Sequence, residues 1–375
     1  MTGTIAIMGG FGGGNLGDEF IGLAEARFLD DRGIEPVMYS FDPLLSQHIQ
    51  PGVRWLDYRG VPDYFQRIRN LVRGNRPREI QEMPRSIVIG AGGMLYDQPI
   101  THLLGWHSRT LYFRRRKVPY ALFANSLRRP RSRLAAYLLR ELLRHASSVS
   151  LRDRLSLEIA RELWPGREYF LARDPVLALG DVLVPDNEVS AVSGRIAVAP
   201  RPWPLLGADE GLSFWAGLLK DMMEQQGLDP VLVAFDPRMD IQFCNRLAEM
   251  LRLQEVRSWD VKKGLAGSGA LFAGCEMVFG MRFHALILAL LLEKPMLAFS
   301  YDEKVTGLMS DVGLSSLCLE LDGDGVAARE FIQRGRLRVE RDRSAILGRM
   351  REYVAESRAL ASEDFARTLA SFPSS

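Results

Sequence analysis

The feature that most constrains this chain is a repeated pattern. A short apolar run ends abruptly in glycine or a charged residue, a helix-period segment follows, and another short apolar run begins. Residues 5–8 (IAIM) run into the glycines of residues 9–14, a helical pattern covers residues 19–32, and residues 36–41 (PVMYSF) form a second apolar run. Strand, glycine turn, helix and strand in that order make a βαβ unit. Residues 87–93 (IVIGAGG) give another strand and glycine turn, residues 118–124 and 147–151 give two more strands, and residues 134–145 carry a helical stripe. Such alternation calls for a parallel sheet covered by helices on both faces.

A second series follows. Residues 195–199, 230–235, 277–280 and 295–300 read as strands, and residues 211–225, 241–251 and 283–292 as helices. The tail, residues 344–369, is helical and either closes the second domain or crosses back onto the first. Residues 182–194, with Pro185, Asp186, Asn187 and Gly194, supply the best linker. The 375 residues exceed one ordinary core and fit two, or at most three. The expectation is an α/β chain of two doubly wound, Rossmann-like domains, residues 1–185 and 186–375, facing across a cleft. Ligands then bind at the carboxyl ends of the strands.

Composition removes several classes. At 47% hydrophobic and 25% charged residues, the chain has too much apolar surface to stay disordered. Its 48 Lys plus Arg against 46 Asp plus Glu leave a net charge of +2, which excludes a general polyanion binder and a nucleic-acid partner. That figure averages unlike halves: residues 1–175 carry 26 cations against 18 anions, and residues 176–375 carry 22 against 28. Cys244, Cys275 and Cys318 fall in no ligand spacing, so neither a disulfide framework nor a zinc site is expected. The first residues lack a basic region and an apolar stretch of secretory length, and the apolar run at residues 285–292 falls well short of the roughly 20 residues that span a bilayer. A cytoplasmic protein is expected. Only six of the cations are lysine, a bias that points to a GC-rich bacterial genome.

Four constellations carry chemistry. Residues 9–19 read GGFGGGNLGDE, with Gly12, Gly13 and their neighbours able to bring a ligand close to backbone N–H groups at a helix start. Gly12, Gly14 and Gly17 formally satisfy G-x-G-x-x-G, and Asp42 follows the second strand, so a dinucleotide site is a rival reading. Asn15, Asp18 and Glu19 would repel a pyrophosphate and suit sugar hydroxyls, or the deprotonation of one. The plain alternative is that Asp18 caps a helix and the glycines only make a tight turn.

The other three lie in the second series. Arg282 and His284 stand where a strand ends and an apolar helix begins, Arg201 follows the strand at residues 195–199, and Tyr301, Asp302 and Lys304 follow the strand at residues 295–300. Guanidinium, imidazole and ammonium groups converging at strand ends suit a small multivalent anion.

In order, the chain carries G-x-x-x-N-x-G-D-E, then G-x-G-G-x-L-x-D over residues 90–97 with Gly92 and Gly93, then VSLRD with Ser156, ARDPV, RPW, R-x-H-A-L-I and S-Y-D-x-K-V. This series, across roughly residues 5–315, resembles the polysaccharide pyruvyl transferases. The resemblance implies a GT-B-like fold and transfer of an enolpyruvyl unit from phosphoenolpyruvate to a sugar of an exopolysaccharide or cell-envelope glycan, closing a pyruvate ketal. No metal and no cofactor beyond that co-substrate are expected, because the cations already neutralise the donor. Arg201, Arg282 and His284 would hold the donor, Lys304 and Tyr301 would support it, and Asp18 or Glu19 would meet the acceptor, a sugar or lipid-linked oligosaccharide. One departure stands out: many relatives carry a G-Q-G-I-G-P-like turn where this chain has ANSLRRP at residues 124–130. It bears on the acceptor side. A GT-B glycosyltransferase using a nucleotide sugar, and a catalytically silent glycan-binding paralogue, are the rival readings.

Finally, residues 114–117 (RRRK) and 128–133 (RRPRSR) precede the striped helix of residues 134–145. Two readings stand: peripheral docking on anionic headgroups at the inner membrane face, or a solvated face whose stripe packs on the sheet.

Overall fold

The computed structural model describes residues 4–58, 61, 80, 82–183, 190–202, 208–260, 264–265, 267–321 and 325–373. The linker residues Pro185, Asp186 and Asn187, and Trp203 and Pro204 of the motif after Arg201, lie outside them. Two compact units emerge. The first comprises residues 1–13, 18–178 and 357–375, and the second residues 14–17 and 179–356.

In chain order the first series is β1 (Ile5–Met8), α1 (Leu16–Asp30), β2 (Val37–Ser40), α2 (Pro43–Ile49), β3 (Arg54–Asp57), β4 (Ser86–Ile89), β5 (Gly92–Leu95), α3 (Ile100–Arg114), β6 (Tyr120–Leu127), α4 (Arg133–His145), β7 (Val149–Leu151), α5 (Arg154–Leu163) and β8 (Phe170–Leu171). Its strands form one sheet in the order β3-β2-β1-β4-β6-β7-β8, with β5 pairing β6. Among the described residues every pairing in this sheet is parallel. β1, β2 and β4 are buried along their whole length, which is why they read as unbroken apolar runs.

The second series is β9 (Val192–Ala199), α6 (Ala208–Gln226), β10 (Asp229–Ala234), α7 (Asp240–Leu251), β11 (Val256–Ser258), β12 (Cys275–Gly280), α8 (Phe283–Leu291), β13 (Met296–Ser300), α9 (Glu303–Asp311), β14 (Cys318–Glu320) and α10 (Gly325–Ala370). These strands form a parallel sheet in the order β11-β10-β9-β12-β13-β14. Every residue of α8 except His284 is buried, as an all-apolar helix requires.

Several expectations shift for local reasons. α1 starts at Leu16 rather than residue 19, because Asn15, not Asp18, caps it: the Asn15 side chain accepts from the Gly17 N–H at 3.0 Å. Gly92 and Gly93 open the short strand β5 instead of making a turn. The terminal helix begins at Gly325 and breaks its helical geometry at Asp342, close to the start expected at residue 344. Residues 357–375 of that tail pack in the first unit, where the Phe365 ring lies 5.3 Å from that of Phe28 and 4.9 Å from that of Phe123.

Ala124, in the segment that departs from the relatives, takes a left-handed φ of +48° inside β6, where the pairing with β7 slips register between Leu122 and Asn125. This is a conformation that glycine adopts freely and that strains an alanine. The apolar stripe of α4 (Ala135, Leu138, Leu139, Leu142 and Leu143) is buried in the first unit's core, so it is not available to a membrane.

Candidate functional site

In the second unit, chain order and strand order together define a switch point. From β9 the chain steps outward to β10 and β11, then returns to the other side of β9 as β12, β13 and β14. The strands are parallel, so all carboxyl ends lie on one edge, and the break between β9 and β12 is where doubly wound sheets hold ligands. Four adjacent strands open there. β10 leads to Asp236 and Asp240, β9 to Arg201, β12 to Arg282 and His284, and β13 to Tyr301, Asp302 and Lys304.

Arg282 is held by Asp240. Its Nε donates to Asp240 Oδ2 at 3.0 Å and a terminal guanidinium nitrogen donates to Oδ1. Asp240 is fully buried and also accepts from the backbone N–H groups of Phe235 at 3.3 Å and Asp236 at 3.0 Å. Burial pulls the Arg282 guanidinium down, but the carboxylate beside it more than compensates and holds its pKa above the ordinary value. Asp240 carried no signal of its own in the sequence; its partner lies 42 residues further on.

Arg201 donates to the Tyr301 hydroxyl, and its guanidinium lies over the Tyr301 ring at 4.7 Å. Burial lowers its pKa, and the neighbouring charge of Arg282 lowers it further. Two guanidinium groups therefore repel each other across the switch point. An added anion relieves both desolvation and repulsion. Lys304 Nζ stands 3.7 Å from Asp302 Oδ2 and 6.0 Å from the centre of the Phe283 ring, at the start of α9, where the Asp302 side chain accepts from the Lys304 N–H.

The His284 imidazole rests on Gly17. A Cβ at position 17 would lie 2.0 Å from His284 Nδ1, so this glycine is required by contact rather than by backbone conformation. The loop is fixed in turn by the Leu16 N–H, which donates to the Phe235 carbonyl at 3.1 Å. Residues 14–17 thus group with the second unit and set one wall around the histidine.

The remaining sequence candidates, Gly12, Gly13, Asp18, Glu19, Gly92 and Gly93, belong to the first unit. Gly12 has φ +72°, and a Cβ there would come 2.1 Å from Ser40 Oγ. Its N–H donates to Glu19 Oε1 at 2.9 Å, and Glu19 is fully buried. Glu19 thus braces the glycine turn, while Asp18 keeps partial exposure beside Gly10. Gly13 is half-buried next to Gly12, Gly92 is buried with φ +125°, and Gly93 is exposed. Asp42, which the dinucleotide reading would place on a ribose, instead caps α2 by accepting from the Leu45 N–H at 3.1 Å.

The first sheet has its own switch point, between β1 and β4. There the sequence reading missed two residues. Glu25, fully buried on α1, accepts from the Ala91 N–H at 2.6 Å, and a Cβ at Gly90 would lie 2.3 Å from its Oε2. Burial pushes its pKa well above the carboxylate range, against the backbone hydrogen bond and with help from Asp174. Asn125 donates from Nδ2 to the Gly90 carbonyl at 2.5 Å. Their only sequence signals are an acid in mid-helix and an amide at a strand end.

Two parallel, doubly wound sheets with cations gathered at the carboxyl edge of the second define a GT-B-like α/β protein. The chain belongs to the polysaccharide pyruvyl transferase family, whose model matches residues 15–303. Among solved structures it is similar to a glycosyltransferase from Rickettsia africae (TM-score 0.64, 11% identity, 100% of both chains covered). It is also similar to Anabaena HepE solved with UDP (TM-score 0.59, 15% identity, 98% of this chain and 100% of that one). A third is S. aureus MnaA solved with UDP (TM-score 0.58, 12% identity, 98% and 95%). At these identities the likeness is one of fold. No curated protein matches the sequence significantly.

Proposed function

We propose that this protein transfers the enolpyruvyl unit of phosphoenolpyruvate to a sugar hydroxyl of a bacterial exopolysaccharide or cell-envelope glycan and closes a pyruvate ketal. The carrying observation is the pair Arg201 and Arg282 on either side of the second unit's switch point, sharing Asp240 as counter-charge, with His284 on the same edge. A phosphate and a carboxylate on one small molecule match that demand.

In this reading the enol phosphate is protonated at its methylene carbon and the adjacent carbon becomes cationic. A first sugar hydroxyl adds there and loses its proton. The C–O bond to phosphate then breaks, phosphate leaves with its electron pair, and a second hydroxyl of the same sugar attacks and closes the ring. The net products are one ketal and one inorganic phosphate. His284 is the acid or phosphate ligand, Arg201 and Arg282 clamp the anionic groups, and Lys304 and Tyr301 support them. On the acceptor side Asp18, Asn15, Gly12, Gly13, Gly92 and Gly93 are the proposed sugar contacts. Asp18 is the better base, since Glu19 is occupied with Gly12. The cations supply the neutralisation, so the reading calls for neither metal nor cofactor. The acceptor is a sugar or a lipid-linked oligosaccharide, and the cytoplasm is the expected compartment. Among the described residues, no helix is long and apolar enough to cross a membrane.

The UDP-bound relatives in fold favour one second reading, a glycosyltransferase with a nucleotide-sugar donor. Thermal unfolding separates the two: phosphoenolpyruvate should raise the melting temperature while UDP-sugars leave it unchanged, and the reverse pattern removes the pyruvyl reading. The His284→Ala variant should release no phosphate from phosphoenolpyruvate in the presence of acceptor glycan.

A further inference from the structure

The basic tracts singled out in the sequence lie on the first unit, and α4 sorts its residues sharply. Its apolar stripe is core, while Arg133, Tyr137, Arg140 and Arg144, spaced four, three and four residues apart, are exposed and share the opposite face. Leu134 and Tyr137 on that side are 49% and 56% exposed. α3 packs against α4 and ends in Arg114, followed by the exposed Arg115, Arg116 and Lys117. Arg114 lies close enough to His107 and His145 for its charge to lower both imidazoles, beyond the larger effect of burial. Two sequence segments therefore build one cationic face.

Very little neutralises it. Residues 101–150 hold eleven Lys plus Arg and a single acid, Glu141. Glu141 is already engaged by Arg144 at 3.7 Å and His145 at 3.3 Å. Among the described residues no acid pairs with Arg115, Lys117, Arg133 or Arg140. The guanidinium groups of Arg140 and Arg144 lie over the Trp164 ring at 4.9 and 5.5 Å, and that of Arg116 over Tyr112 at 3.7 Å, so aromatic rings are interleaved with the charge.

We propose that this face, the outward side of α4 with the end of α3, is a docking surface for an anionic lipid bilayer. Its charge is complementary to phosphate headgroups, and each Lys or Arg near such a surface adds about 1 kcal/mol, or roughly fivefold in affinity. Exposed Tyr137 and Leu134 suit the headgroup boundary, where an aromatic ring and one apolar side chain gain from partial burial. Association is peripheral and electrostatic, because the helix's apolar stripe is committed to the core. It reaches beyond the donor chemistry and stands or falls separately from it.

The test is co-sedimentation of the full chain with phosphatidylcholine vesicles, with or without about 30% phosphatidylglycerol, at low and high salt. The wild type should pellet only with the anionic vesicles and be released by salt. The double variant Arg133→Glu/Arg140→Glu should lose at least about tenfold in affinity while keeping its melting temperature and its response to phosphoenolpyruvate. Equal binding to neutral vesicles, no binding to anionic ones, or unchanged binding by the double variant would overturn the proposal. So would tighter binding to a duplex oligonucleotide than to the vesicles, because that makes the face a nucleic-acid surface.

Discussion

Gly17 and His284 are in direct contact: the glycine's missing side chain is the space the imidazole occupies, and a Cβ built there would stand 2.0 Å from Nδ1. The glycine in the first turn of α1 and the histidine after β12 are thus one device separated by most of the chain.

Gly17→Ala tests it. Gly17 sits in the first turn of α1, where alanine is the better helix former by about 1 kcal/mol, so the fold should tolerate the change. The imidazole cannot. Turnover should fall by about two orders of magnitude, the scale expected for displacing a reacting group by an ångström, while the melting temperature moves by a few degrees at most. A variant with wild-type rates would separate the histidine from the chemistry.

Asp240→Asn tests whether Asp240 orients Arg282 or only neutralises it. Orientation predicts kcat/KM for phosphoenolpyruvate down by about tenfold or more. Neutralisation alone predicts the opposite, since the site would gain positive charge and bind the anion more tightly. Steady-state kinetics at fixed acceptor decide between them.

Much of this candidate site is legible in the sequence. Arg201, Arg282, His284, Tyr301 and Lys304 each follow an apolar run, and parallel strands carry such positions to one edge. Asp240 was not readable, because pairing across elements depends on which strands neighbour each other, and periodicity does not encode that. Glu25 was hidden for a similar reason: mid-helix acids are usually solvated, and only the sheet order places this one under Gly90. Helix limits were offset by one to three residues where caps decided them, as Asn15 did for α1. Short strands such as β3, β11 and β14 carry too few apolar residues to announce themselves.

Ala124 should invert the usual preference of strands for branched residues. At φ +48° and fully buried, Ala124→Val should cost about 2 kcal/mol or more, whereas Ala124→Gly should be close to neutral, relief of the left-handed conformation offsetting lost burial and added chain entropy. Urea unfolding of the two variants is the check; a stabilised valine variant would contradict the assigned backbone.

Glu25 sets a pH dependence. Its folded pKa is raised, so the native state holds a proton that the unfolded chain gives up above its ordinary value of 4.5. The stability this group contributes is therefore present at low pH and lost as pH rises toward the folded pKa. Glu25→Gln lacks that titration: compared by thermal melting between about pH 5 and pH 8, wild type should lose stability relative to the variant as pH rises. Parallel curves would show the carboxyl to be ionised throughout.

Calorimetric titration of phosphoenolpyruvate into the wild type and Arg282→Met, alongside a UDP-sugar, decides which donor the second unit holds. The wild type should bind phosphoenolpyruvate, Arg282→Met should bind it at least about tenfold more weakly, and the UDP-sugar should give no binding heat. Binding of the UDP-sugar without binding of phosphoenolpyruvate would contradict the account.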